Sequence, residues 1–154
     1  MEIRPLDAAD RGYALTAMRE AHKTSPGCAR APWWTYKLEY GAMLGELINA
    51  PSTVLLGAYE DALLGFLVMT PGKRCPALHW VQVKSKVDGA RVAFRRDIAF
   101  ELIAAAKLGP RFIYTLRGPR CRQDDAKSLD EVLVRALRER GVHATFVHIK
   151  EWLK

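Results

Sequence analysis

The apolar pattern in the first third of the chain predicts one short strand followed by two helices. Residues 2–6 are typical of a strand, and Asp7 or Asp10 can cap a helix that runs to about His22. Apolar residues at helical spacing predict a second helix over about 35–48. The chain therefore begins with a β-α-α unit.

The middle of the chain changes to the pattern of strands. Residues 53–59 and 63–69 are apolar runs, and the three residues between them are few enough for a hairpin. Pro71-Gly72 breaks the chain before a third strand over 77–84. These segments predict an antiparallel meander.

Helices and strands alternate in the last part of the chain. A helix is predicted over about 92–108, a strand over 111–117, a helix over 129–140 and a last strand over 142–149. A β-α-β connection makes neighbouring parallel strands possible. The order β-α-α-β-β-β-α-β-α-β predicts an α+β fold, with helices on both faces of a mixed, mostly antiparallel sheet. No linker or repeat interrupts it, so we expect one domain over 1–154.

Charge and composition restrict the partners and the compartment. The chain has 154 residues and a formal net charge of +7, which favours an anionic partner such as a phosphate-bearing cofactor, nucleic acid or an acidic protein. No apolar run is long enough to span a membrane, and the first residues lack the layout of a signal peptide. The three cysteines form no C-x-x-C pair, which favours a reduced, cytoplasmic protein without a metal site.

Several segments resemble the GNAT acetyltransferase superfamily. They are Ile3-Arg4-Pro5 ahead of the first helix, Leu64-Gly65-Phe66 in the strand after the hairpin, Leu78–Lys84 as the central strand, and Phe94–Ala99 as a variant of the family's arginine-rich helix entry. A His-aromatic-Val strand ahead of a Phe-Arg-Arg segment is most similar to small acetyltransferase-like proteins of phage genomes. The resemblance covers nearly the whole chain in topology, and residues 78–102 in motif detail.

This resemblance implies an N-acetyltransferase that transfers an acetyl group from acetyl-CoA to an amine. In the family, the central strand separates from the next strand, which here is 111–117, and the pantetheine arm lies between them. By resemblance, the backbone of Val81, Gln82 and Val83 would contact that arm. The acceptor amine is not indicated by the sequence.

The start of the long middle helix is the expected phosphate site. A helix N-terminus presents free N–H groups and a partial positive charge, which suit a pyrophosphate. Arg91, Arg95 and Arg96 add positive charge and bidentate donors nearby, and Ile98 follows in the same segment. These four residues complete the predicted cofactor-binding set.

The phosphate loop departs from the family pattern. Asp97 stands where the family has a glycine, and its carboxylate would repel a pyrophosphate. Residues 85–93 resemble an insertion, in which Lys86 and Gly89 offer a shifted match to the motif. Asp88-Gly89 can instead form the turn of a β-hairpin. A working CoA loop, a GNAT-like loop that binds no CoA, and a hairpin without a phosphate loop all remain open.

Catalytic residues are weakly marked. A base must deprotonate the amine, and His79 on the central strand titrates in the right range. The family's proton-donating tyrosine has no counterpart in the helix over 129–140, so Tyr114 is the candidate donor. Alternatively, the chain is a catalytically degenerate GNAT-like module that binds protein or nucleic acid. A third interpretation is a plain nucleic-acid-binding α+β domain, in which Trp33-Trp34 could stack on bases.

Overall fold

A computed structural model describes residues 1–20, 33–72, 74–84, 86–87, 90–91, 96–116 and 135–152. The strands are β1 (Glu2–Pro5), β2 (Val54–Glu60), β3 (Ala62–Thr70), β4 (Ala77–Val83), β5 (Lys86–Val87), β6 (Ala90–Arg91), β7 (Arg111–Leu116) and β8 (His143–His148). The helices are α1 (Ala8–Arg19), α2 (Trp33–Asn49), α3 (Arg96–Ala106) and α4 (Ile149–Trp152). Residues 135–139 are also helical.

Six strands form one mixed sheet in the order β1-β2-β3-β4-β7-β8. The first three pairings along this order are antiparallel, whereas β4 pairs with β7 and β7 with β8 in parallel. A parallel pairing requires a crossover, and α3 provides it between β4 and β7. The predicted α+β class, with a mixed and mostly antiparallel sheet, is confirmed.

Two apolar clusters cover opposite faces of this sheet. The α3 core joins α3 to strand residues that include Leu67, Leu78 and Phe112. The α2 core joins α1, α2 and Ile149 of α4 to strand residues that include Phe66. Successive residues of a strand point to opposite faces, so the neighbours Phe66 and Leu67 belong to different cores. Each such buried side chain contributes about 1.5–3 kcal/mol to stability.

The element boundaries follow the sequence patterns closely, with three differences. Helix α1 ends at Arg19, before the predicted end at His22. Strands β5 and β6 pair antiparallel as a separate two-stranded sheet, as the hairpin alternative for this segment predicts, while the predicted turn at Asp88-Gly89 lies outside the described residues. Helix α4 follows β8 at Ile149–Trp152, where the apolar pattern predicts only a strand up to 149. Part of the predicted helix over 129–140 lies outside the described residues.

Candidate functional site

The parallel ladder between β4 and β7 is short. Ala77 pairs with Ile113 and Leu78 with Tyr114, and the amide of Ile113 donates a hydrogen bond to the carbonyl oxygen of Pro76 at 3.0 Å. No further β4–β7 pair lies within the two strands as described, although β7 continues for two residues to Leu116 and β4 continues to Val83. We call this separation the fork. It lies between the two strands that the sequence resemblance indicates.

A β-bulge in β4 lies where the fork begins. Val68 pairs with Trp80 and Met69 with Leu78, so His79 is the extra residue on β4. A bulge bends its strand and increases the local twist. The bend at His79 therefore gives a local reason for β4 to turn away from β7 after Leu78.

The His79 side chain connects three strands at this point. Its imidazole is fully buried, with Nε2 lying 2.9 Å from Oγ1 of Thr70 on β3 and Nδ1 lying 2.8 Å from Oγ1 of Thr115 on β7. The ring of Trp152 packs edge to face against it, at a centroid distance of 4.6 Å. We call His79, Thr70 and Thr115 the His79 bridge. It links β3 to β7 across β4, at the base of the fork.

The chemistry of the bridge favours a positioning role. A neutral imidazole has one donor and one acceptor nitrogen, and a hydroxyl can both donate and accept, so both contacts can be satisfied without a charge. A general base must reach its proton directly or through one intervening group. Both nitrogens of His79 face threonine hydroxyls, so a base role would require a relay through Thr70 or Thr115. That role stays a prediction.

The two catalytic candidates lie on opposite faces of the sheet. Tyr114 is 2% exposed and belongs to the α3 core. The next residue, Thr115, contacts His79 on the other face, as strand alternation requires. The structure therefore does not bring His79 and Tyr114 together.

Several predicted cofactor-binding residues do come together, at the far end of the fork. A Cβ atom added to Gly65 would lie 2.7 Å from the carbonyl oxygen of Gln82, 3.3 Å from Cα of Val83 and 3.5 Å from Cγ2 of Ile98. The end of β4 thus lies against the first turn of α3, and Gly65 is required for this close approach. Val81 and Ile98 are buried in the α3 core.

Gln82 has its side chain on the opposite side of β4 from this core. Its Oε1 accepts a hydrogen bond from Nε1 of Trp80, at 2.9 Å. This contact holds the side chain along the strand. The register with Phe66 directs the backbone N–H and C=O of Gln82 towards β3, so the backbone groups that can face the fork are those of Val81 and Val83.

The expected phosphate site is described in part. Helix α3 is described from Arg96, and Asp97 lies in its first turn with an exposed side chain. A carboxylate there already complements the partial positive charge of the helix N-terminus. Arg95 lies outside the described residues, as do the side chains of Arg91 and Arg96.

Two findings concern other kinds of site. Among the residues that the structure describes, no three His, Cys, Asp or Glu side chains gather as metal ligands. Within the same residues, no helix combines the length and apolar character needed to cross a membrane.

Comparisons with known proteins give matches in fold alone. No family model matches the chain, and no curated protein does. Among solved structures, an aminoglycoside 6'-acetyltransferase type Ii matches with 19% identity and a TM-score of 0.41, over 70% of this chain and 62% of its own. The chain therefore spans less than two thirds of that enzyme.

Two further structures match over more of their length. The PaiA N-acetyltransferase from Thermoplasma acidophilum, in complex with coenzyme A, shares 15% identity, with a TM-score of 0.45 over 92% of this chain and 74% of its own. The ribosomal-protein-alanine N-acetyltransferase from Brucella melitensis shares 19% identity, with a TM-score of 0.46 over 94% and 92%. Similarity at this level is too low to assign an activity or a site residue to this chain.

Proposed function

We propose that this chain is an N-acetyltransferase-like protein that transfers an acetyl group from acetyl-CoA to an amine. The fork carries the proposal: β4 separates from β7 after Leu78 and ends beside the first turn of α3. An extended pantetheine arm has amide groups that can bond to strand backbone, and a pyrophosphate suits the N–H groups at the start of a helix. In the proposed complex, the pantetheine arm would lie in the fork and the pyrophosphate would lie at the start of α3.

The residues at the fork fit this ligand in two respects and oppose it in one. The backbone groups of Val81 and Val83, which alternate with the β3-facing groups of Gln82, are proposed to contact pantetheine. Arg91, Arg95 and Arg96, which lie just before or at the start of α3 in the sequence, are proposed to bind the pyrophosphate. Asp97 opposes binding, because it places a negative charge in the first turn of α3.

The proposed chemistry requires one base and one acid. Acetyl-CoA supplies the acyl group as a thioester. A bond forms between the amine nitrogen and the acetyl carbon, the carbon–sulfur bond breaks, a base accepts a proton from the nitrogen, and the sulfur takes up a proton. His79 is the proposed base, through a threonine hydroxyl, and Tyr114 is the proposed proton donor.

Calorimetric titration with acetyl-CoA tests the binding step. We expect Arg95→Ala and Arg96→Ala to weaken binding, and Asp97→Asn to strengthen it by removing the like charge. Glu101→Gln is the matched control, because Glu101 is exposed one turn further along α3. Binding that is unaffected by both arginine changes would reject the phosphate position, and absence of binding would reject CoA as the ligand.

Steady-state rates test the two chemical roles separately. Loss of kcat in Tyr114→Phe, with an unchanged KM for acetyl-CoA, would support the donor role, whereas an unchanged kcat would reject it. A base role for His79 predicts that the acidic limb of the pH–rate profile disappears in His79→Gln. If that limb persists in the variant, His79 is not the base.

A second candidate is a GNAT-like module that binds nucleic acid without catalysis. Asp97 in the first turn of α3 favours it, as does the net charge of +7. Steep salt dependence of binding to generic duplex DNA, together with no response to acetyl-CoA, would support this candidate. The single-domain organisation, the cytoplasmic location and the phage-type relationship remain predictions.

A further inference from the structure

A pocket of about 270 Å³ lies on the α2 side of the sheet, away from the start of α3. The last turns of α2 form one wall with Met43 and Leu47, and α4 forms another with Ile149 and Trp152. Thr70, at the end of β3, also lines it. This volume is just below the range of about 300–1,000 Å³ that is usual for small-molecule sites, so the pocket suits a small ligand.

Three independent features make this pocket favourable for a cation. Glu46 is the charged residue among the described lining residues, and its carboxylate is exposed. The C-terminal end of a helix carries a partial negative charge, and α2 has no basic residue in its last turn to offset it. The third feature is the indole of Trp152, since tryptophan is the aromatic side chain that attracts cations most strongly.

The remaining lining favours a carbon chain attached to that cation. Met43, Leu47 and Ile149 are apolar, and Ile149 is fully buried. A metal ion would leave these walls without a partner, whereas an alkyl group would bury against them. The hydroxyl of Thr70 can accept a hydrogen bond from an ammonium group while it contacts His79.

We infer that this pocket binds a small organic ammonium ion with a short alkyl chain. The ammonium group lies between Glu46, the C-terminal end of α2 and the Trp152 indole, and the alkyl chain contacts Leu47 and Ile149. Thr70 also contacts the proposed base His79, whereas the other residues of the pocket lie outside the proposed CoA-binding and catalytic residues, so binding is tested without acetyl-CoA.

Titration of the full chain with n-butylammonium chloride, followed by two-dimensional NMR without acetyl-CoA, tests the inference. We expect saturable shifts confined to the amides of the pocket, including Thr53, Thr70 and Trp152. 1-Butanol, which is similar in shape but uncharged, should bind roughly three- to tenfold more weakly, the factor expected for a partly exposed cation site. Equal binding of the two probes would overturn the inference.

Two variants test whether the carboxylate of Glu46 is responsible for the preference for the ammonium ion. Glu46→Gln should weaken binding of n-butylammonium about threefold and leave binding of 1-butanol unchanged. Glu101→Gln is the matched control, since Glu101 is equally exposed but lies on α3, on the other face of the sheet. Equal weakening in both variants, or shifts centred away from the pocket, would also overturn the inference.

Discussion

Substitution of His79 by leucine should show how much the His79 bridge contributes to the free energy of unfolding. In His79→Leu, the hydroxyls of Thr70 and Thr115 lose their imidazole partner while only 6% and 1% exposed, respectively. A buried polar group left unsatisfied costs about 1–3 kcal/mol. Two such groups predict a decrease of roughly 2–6 kcal/mol in the free energy of unfolding. Urea denaturation should show it as a lower midpoint with an unchanged m value.

The triple variant Thr70→Val/His79→Leu/Thr115→Val separates lost hydrogen bonds from lost packing. Because it removes every partner at once, no hydroxyl is left unsatisfied, and replacing both sides of a buried hydrogen bond with apolar groups is nearly neutral. We therefore expect the triple variant to be more stable than His79→Leu alone. If it is instead less stable by the sum of the single effects, the three side chains of the His79 bridge do not act as one hydrogen-bonded unit.

The remaining predictions concern other parts of the fold. Gly65→Ala should lower the free energy of unfolding by about 1–3 kcal/mol, because its Cβ would lie 2.7 Å from the backbone oxygen of Gln82. The control is Gly12→Ala, at an exposed position of α1 where an added Cβ would have nothing within 4 Å, and it should raise the free energy of unfolding by up to about 1 kcal/mol. If both variants shifted the denaturation midpoint equally, the close approach of Gly65 to Gln82 would be contradicted. The hydrogen bond from Arg4 lowers the pKa of Asp7, so the stability from this pair is present above the ordinary carboxylate pKa and is lost as pH falls through the lowered value. The stability difference between the wild type and Arg4→Gln, measured by denaturation, should therefore shrink as the pH falls below the ordinary carboxylate pKa of 3.8, and a constant difference would contradict the assignment.

Most of the fold was predictable because its signals are local. The hairpin of β2 and β3 follows from two apolar runs around Glu60-Asp61-Ala62, and Asp61 takes the positive φ of 58° that a tight turn uses. Gly109 has φ of 79° after α3, as expected of a glycine that ends a helix. Helix α4 escaped prediction because four residues show no helical period.

The site was predictable only in part, because its decisive contacts are distant in sequence. The fork lies between the strands that the resemblance indicates. The bulge at His79 has no signature in the apolar pattern, since one extra residue changes pairing rather than composition. Thr70 and Thr115 lie 9 and 36 residues from His79, and a threonine in a strand is too common to indicate a partner.

The short ladder between β4 and β7 has a consequence for how this protein can change during evolution. A continuous ladder sets strand spacing by main-chain geometry, which is the same for nearly every residue. Beyond Leu78, the contact between the described parts of β4 and β7 is made by the side chains of His79 and Thr115, so we expect single substitutions there to widen or narrow the opening while the other pairings of the sheet persist. Selection can therefore alter what enters between the two strands without rebuilding the fold.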